Sequence, residues 1–177
     1  STSETLVSLI DLAPTSMQLA NIDPPQHLQG RNFFGFWNRK RKEIYAARDR
    51  CDGTIDRIRC VRTKRFKLIK NFYPERPYSQ FNGYKKHQYP MLTLMKILRE
   101  RGELTAAQEL FWAEKRPKYE LYDIKSDPNE IQNLADEPEF SEVKQNLLTK
   151  LDKWLVEFDQ NDYPENPEQC TAQEELM

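Results

Sequence analysis

The sequence predicts an α+β fold in which a small antiparallel sheet, formed by the middle of the chain, is combined with helices at both ends. Arg57–Arg62 and Phe66–Phe72 alternate apolar and basic residues, the period of half-buried strands. Phe140–Phe158 instead carries apolar residues at helical spacing. With three Trp, eight Tyr and nine Phe in 177 residues, the chain has enough large apolar side chains for one core.

The N-terminal part of the chain is predicted to form a helix over Leu6–Ile22. Its apolar residues recur every three or four positions: Leu6, Leu9, Ile10, Ala13, Met17 and Ala20. Pro14 lacks a backbone donor, so we expect a break or kink near Ala13. Asp23–Pro25 ends the helix, and His27–Arg31 is predicted to be a loop.

Four strands are predicted in the middle of the chain. The first, Glu43–Arg48, should end at a polar loop, Asp49–Thr54. Thr63–Arg65 has the length of a hairpin turn between the two alternating strands. Tyr119–Ile124 is predicted to be the last strand.

The segment between the third and fourth strands should contain an irregular excursion, Tyr73–Pro90, followed by two helices, Met91–Arg101 and Leu104–Ala113. The first of these helices should turn three apolar side chains inward: Leu94, Met95 and Leu98. Asp127–Glu130 offers an N-cap, a proline at the first helical position and a Glu at the third, so it predicts a further helix start. The long helix over Phe140–Phe158 then follows.

Charge is distributed unevenly although the formal net charge is only −1. Residues 31–70 hold 14 Lys/Arg against 4 Asp/Glu, whereas residues 120–177 hold 4 against 16. This distribution has three interpretations. Residues 31–70 bind an anionic ligand, the basic and acidic parts partly neutralise each other in the fold, or both parts are solvated surface. No apolar run approaches the length of a membrane span, and the first residues do not resemble a secretory signal.

Residue types restrict the chemistry further. Two histidines argue against a nucleophile–histidine pair, and five scattered glycines exclude a phosphate-binding loop. Three cysteines without a Cys-x-x-Cys pair indicate neither a disulfide framework nor a zinc site. The one dense carboxylate cluster before the tail is Asp49, Asp52 and Asp56. Four arginines flank it, so it forms a charge network, or its guanidiniums bind an anion.

Several short segments, in their order along the chain, carry a family resemblance. They are Leu6–Thr15, Leu19–Ile22, His27–Arg31, Glu120–Glu130 and Asn133–Ala135. Together they resemble the late part of the type I sulfatases of the alkaline-phosphatase superfamily. Ala47–Arg59 and Phe72–Tyr78 are similar to the heparan N-sulfatase (sulfamidase) branch of that family.

The resemblance implies the C-terminal subdomain of a sulfatase, a four-stranded antiparallel sheet with a long helix packed across it. Residues 1–30 would be the end of the large α/β catalytic domain, residues 31–162 the subdomain and residues 163–177 a polar tail. The helix over Leu6–Ile22 packs on the large domain in such enzymes. Here we expect it to repack on the smaller lobe, to dimerise or to be poorly ordered.

The family's catalytic groups are not expected in this chain. Its nucleophile is a formylglycine made from Cys or Ser in a Cys/Ser-x-Pro-x-Arg motif, and none of Cys51, Cys60 and Cys170 fits. No residue matches the family's calcium ligands or catalytic lysines. We therefore predict no catalytic residue, metal or cofactor in this chain, whereas the full enzyme would use calcium and formylglycine.

The resemblance also suggests that loops of this subdomain line the substrate pocket. The candidates are Arg48, Asp49, Arg50, Asp52, Arg76 and Tyr78. Guanidiniums would bind sulfate or carboxylate oxygens, carboxylates would bind sugar hydroxyls, and a tyrosine would stack on the ring. Ion pairs within the subdomain are the alternative for each charged residue.

The predicted function is that of the C-terminal part of a sulfatase hydrolysing sulfate from a sulfated glycan, with heparan-type N- or O-sulfated glucosamine favoured. Its partners would be the parent catalytic domain and the glycan, with no nucleic acid and no membrane, and a homodimer through the N-terminal helix is one option. The family implies an exported or lysosomal protein. The alternative is a free-standing module whose basic, aromatic middle binds a glycosaminoglycan or nucleic acid.

Overall fold

A computed structural model describes residues 3–35, 40–51 and 54–159. Their strands form one antiparallel sheet in the order β1-β2-β3-β4. The strand bounds are Ile44–Cys51 for β1, Thr54–Arg62 for β2, Phe66–Asn71 for β3 and Tyr119–Asp123 for β4. The predicted α+β class with a small antiparallel sheet is confirmed.

One face of the sheet carries the hydrophobic core. Val61 lies opposite Leu68, and Leu68 opposite Leu121, in the register of β2, β3 and β4. All three side chains are fully buried. Successive residues of a strand point to opposite faces, so Cys60, Ile69 and Glu120 are on the other side, called the second face below.

The long C-terminal helix covers the core face, as expected. This helix, α5, spans Ser141–Phe158 and buries Leu147 and Leu151, one turn apart, against the sheet. The Trp154 ring stacks on Tyr45 of β1 with ring centroids 5.3 Å apart. The apolar residues that alternate along the strands and those spaced four positions apart in the helix therefore pack into one core.

The N-terminal helix is shorter than predicted. A 3-10 turn at Leu9–Asp11 leads into α1, Leu12–Leu19, so Pro14 falls in the first helical turn, where a missing amide costs little. Most of the predicted apolar stripe has not repacked, since Leu9 and Ile10 are 84% and 50% exposed, whereas Leu6 is buried.

A buried carboxylate rather than an apolar stripe holds this N-terminal unit together. Asp11 accepts hydrogen bonds from the Ser8 and Arg31 amides at 3.0 and 2.8 Å and from the Arg41 guanidinium at 2.7 and 2.5 Å. Burial alone would raise the pKa of Asp11, but these hydrogen bonds, led by that from Arg41, keep it below its usual value. The turn and helix are thereby tied to the start of β1.

Three helices lie between β3 and β4. They are α2, Gly83–Gln88; α3, Pro90–Glu100; and α4, Ala106–Phe111. Gly102 ends α3 with a φ of 68°, as its position predicted. Met95 and Leu98 are half-buried, but the expectation that Leu94 points inward is wrong, because more than half of its side chain is exposed.

The helix predicted to begin at Asp127 does not form. The Asp127 carboxylate accepts hydrogen bonds from the Ile131 and Gln132 amides at 2.8 Å, and Glu130 has a φ of 56°. A left-handed residue three positions after the cap closes a turn and prevents helix propagation.

Two predictions fall outside the described residues: the polar tail and Asp52. Among the described helices, none has the length and apolarity that crossing a bilayer requires.

Candidate substrate-binding surface

The first candidate residues lie on a strand rather than in the loop that was predicted. β1 and β2 keep pairing up to Cys51 and Thr54. Strand β1 therefore continues to Cys51 and includes Asp49 and Arg50. Arg48 pairs with Ile58 and Arg50 with Ile55, with a bulge between them. Such an irregularity changes the direction of neighbouring side chains at the end of the sheet.

Asp49 takes part in an ion-pair network. Its carboxylate lies 2.7 Å from the guanidinium of Arg59, whose side chain is buried. Arg59 also holds Asp159, directly after α5, at 2.7 and 3.0 Å, and Arg57 reaches the same carboxylate at 2.9 Å. For Asp49, the structure therefore shows the contact that the charge-network interpretation expects.

The strongest polar contact of the second face joins Asp56 of β2 to Arg116. The two buried side chains form a bidentate pair with both distances at 2.8 Å, and Gln80 adds a third hydrogen bond at 2.8 Å. Burial alone would raise the pKa of Asp56, but the hydrogen bonds from Arg116 and Gln80 keep it below its usual value.

Arg116 also fixes the irregular segment that follows β3. Its guanidinium donates to the carbonyls of Tyr73 and Arg76, both at 3.1 Å, and its amide donates to the Pro74 carbonyl at 2.8 Å. One buried guanidinium therefore positions residues 73–80, the stretch that carries two candidate residues.

Arg76 and Arg50 are both connected to Ile55 of β2, Arg76 through its side chain and Arg50 through backbone pairing. The Arg76 guanidinium donates to the carbonyl of Ile55, the residue that pairs with Arg50. It also lies 5.2 Å from the Tyr73 ring centroid. Two candidate arginines from distant parts of the sequence are thus brought to the same end of the sheet.

Tyr78 lies elsewhere on the second face, beside a buried carboxylate. Glu120 accepts a hydrogen bond from the side-chain amide of Asn71 at 2.6 Å and one from the Tyr122 hydroxyl at 2.6 Å. Burial, the Glu120 charge and a hydrogen bond to Glu120 raise the pKa of Tyr78, and similar causes raise that of Tyr122. Both hydroxyls therefore stay protonated and donate.

Asp56, Arg116 and Glu120 are the residues whose structural roles the sequence interpretation missed. Asp56 was recognised only as a member of an acidic cluster, and its partner stands 60 positions away. The available signal was a charged residue at a strand position between two large apolar residues, as at Glu120 between Tyr119 and Leu121. Among the described residues, no three His, Cys, Asp or Glu side chains are grouped to hold a metal ion.

Comparison with known proteins identifies the family. The sequence model of N-sulphoglucosamine sulphohydrolase, C-terminal, matches residues 1–109. The chain belongs to this family of sulfatase C-terminal regions. It is thus a sulfatase C-terminal region, as its motifs suggested.

Curated relatives of this sulfatase region include an ulvan-active sulfatase from Formosa agariphila, 39% identical over 152 residues, which cover 85% of this chain and 25% of the relative. Human N-sulphoglucosamine sulphohydrolase is 28% identical over 177 residues, covering 88% of this chain and 33% of the human protein. The chain therefore spans a third or less of the length of these relatives.

Solved structures share the fold. A 2-O GAG sulfatase superposes with a TM-score of 0.60 at 18% identity, covering 96% of this chain and 30% of that protein. A protein solved in complex with its substrate, D-glucosamine-2-N,6-O-disulfate, gives a TM-score of 0.52 at 20% identity, covering 89% and 26%. At these identities the likeness concerns the fold alone.

Proposed function

We propose that this sulfatase C-terminal region supplies part of the substrate-binding surface of an enzyme that removes sulfate from a sulfated glycan. The observation that carries the proposal is that the Arg76 guanidinium donates to the carbonyl of Ile55, the backbone pairing partner of Arg50, so both arginines belong to one end of the sheet. Guanidiniums match the planar spread of sulfate and carboxylate oxygens. Arg48 adds a buried Nε for which the described residues offer no hydrogen-bond partner.

A sulfated polysaccharide is the substrate class that we propose, with heparan-type N- or O-sulfated glucosamine favoured. The names of two relatives support the class, one being ulvan-active and the other an N-sulphoglucosamine sulphohydrolase. The segment Phe72–Tyr78, which resembles the sulfamidase branch, is the part fixed by Arg116.

The chemical step belongs, in this proposal, to a catalytic domain that works with this region. The three cysteines lie outside a Cys-x-Pro-x-Arg motif, and Ser126-Asp127-Pro128 is followed by Glu130 where the motif needs Arg. The chain alone would then be inactive, and the calcium and formylglycine of the full enzyme would lie in the catalytic domain.

Exposed apolar surface supports such a partner. Helix α1 and the 3-10 turn before it expose Leu9, Leu12 and Leu19, and α3 exposes Met91, Leu94 and Ile97. Several large apolar side chains exposed along one helix usually mark a site of interaction with another protein surface. The catalytic domain is the partner that we propose for both helices.

A chimera tests the proposal. The chain replaces the matching region of the ulvan-active sulfatase, and release of sulfate from ulvan and from heparan fragments is measured. We expect activity from the chimera and none from the chain alone. Arg50→Ala should raise KM about tenfold or more with a smaller change in kcat, since a charge-assisted contact contributes roughly 1.5–3 kcal/mol.

Lys153→Ala, which removes one positive charge from the exposed side of α5, is the control and should leave KM unchanged. Equal KM values for the chimeras carrying Arg50→Ala and Lys153→Ala would remove the arginine end of the sheet from substrate binding.

A further inference from the structure

A cavity on the second face of the sheet is the starting point. It has a volume of about 570 Å³ and is formed by β3, β4, α4, Tyr78 and the turn after β4. Its walls are mostly apolar, with Ile69 on the sheet and Leu110 and Phe111 on α4. This volume lies in the range of small-molecule sites.

The base of the cavity holds Glu120, a carboxylate only 4% exposed. Its hydrogen bonds come from neutral donors, the Asn71 side-chain amide and the Tyr122 hydroxyl, and Tyr78 lines the cavity with it. No Lys, Arg or His in the described part of the chain lies within ion-pair distance of it. Buried carboxylates normally have a cationic partner, because neutral donors offset only part of the cost of removing the charge from water.

The neighbouring cations of the described residues form no ion pair with Glu120. The Arg116 guanidinium, 6.0 Å from the Tyr78 ring centroid, is bound bidentately to Asp56. Lys115 lines the cavity with an exposed side chain and makes no ion pair within the described residues. The described residues contain no group of three His, Cys, Asp or Glu side chains that could hold a metal ion, and Glu130, which also lines the cavity, is paired with Lys67.

Aromatic rings surround the same carboxylate. Tyr78, Tyr122 and Phe111 all line the cavity with Glu120. The faces of aromatic rings attract organic cations, and a carboxylate at the base adds a charged acceptor. The Tyr122 hydroxyl donates a hydrogen bond to Glu120 at 2.6 Å.

We propose that this cavity binds a small organic amine, with its ammonium group beside Glu120 and an apolar body between Phe111, Leu110 and Ile69. The walls supply the apolar contact and the tyrosine rings the cation–π contact. The carboxylate supplies specificity for the charge, since a neutral ligand of the same shape would gain only the apolar part.

Fluorine NMR on the 177-residue chain tests this binding. The probe is 4-fluorobenzylammonium, and its neutral counterpart is 4-fluorobenzyl alcohol. We expect the amine to bind at least tenfold more tightly than the alcohol. Glu120→Gln should reduce amine affinity to that of the alcohol, whereas Glu142→Gln, the same change on the exposed side of α5, should not alter it.

Phe111→Ala provides a test that does not depend on the buried network, because this ring lies at the partly exposed rim. It should weaken amine and alcohol alike. Equal affinities of the native chain for the two probes, no fluorine shift with the amine, or full amine affinity in a folded Glu120→Gln chain would each overturn the proposal.

Discussion

Arg116 is the single residue on which most of the second face depends. Its buried guanidinium joins Asp56 of β2 to the carbonyls of residues 73–76. Removing one partner of a buried pair leaves the other charge in a dry site. We expect Arg116→Met to lower the free energy of unfolding by about 3–5 kcal/mol, measured by urea denaturation.

Arg101→Ala, at the exposed end of α3, should change the stability by less than about 0.5 kcal/mol. A loss below about 1 kcal/mol in Arg116→Met would show that Asp56 is satisfied without the guanidinium.

At this scale the sequence identified residue types but not partners. The Asp/Arg cluster around Asp49 was recognised, and two interpretations, charge network or anion site, were left open. Asp49 pairs with Arg59, as the network interpretation expects, whereas anion binding by Arg50 stays a prediction. Arg59 also binds Asp159, 100 positions along the chain, and spacing could not predict that partner.

At the scale of elements, α5 stabilises the lobe through two side chains. Leu151 is fully buried between the helix and the sheet. We expect Leu151→Ala to cost about 2–5 kcal/mol in urea denaturation, because it removes apolar contact and leaves a cavity.

Val156 lies on the same helix with 72% of its side chain exposed. Val156→Ala should therefore be nearly neutral, and similar losses for the two variants would contradict the packing described for α5.

Strands and the long helix were predictable because their apolar residues are also their buried residues. The alternation in β2 and β3 and the stripe in α5 all point into one core. The failures share a different cause. Asp127 carries good helix-start residues, yet its carboxylate caps a turn that Glu130 closes in a left-handed conformation. Most of the predicted N-terminal apolar stripe is exposed in this chain, although Leu6 is buried.

At the scale of the whole molecule, four aspartates hydrogen-bonded by arginines determine the response to acid. Asp11, Asp56, Asp123 and Asp159 each have a pKa below the usual value, because hydrogen bonds from arginine outweigh the effect of burial. The unfolded chain then takes up protons at higher pH than the folded one. Their contribution to stability is complete above about pH 4 and is lost as the pH falls through the folded-state pKa values.

Urea denaturation between pH 7 and pH 3 measures this effect. The free energy of unfolding should be nearly constant down to about pH 5 and should fall steeply below about pH 4. Asp56→Asn, which no longer titrates at this position, should show a shallower fall. A flat profile down to pH 3 would contradict the role given to these carboxylates.

The pairing of β3 with β4 has a consequence for how related proteins diverge. These strands lie side by side although residues 72–118 separate them along the chain. Doubling the length of such an inserted stretch costs only about 0.6 kcal/mol of closure entropy. Insertions, deletions and substitutions in this stretch can therefore change the walls of the cavity between related proteins. The four strands keep their register while this happens.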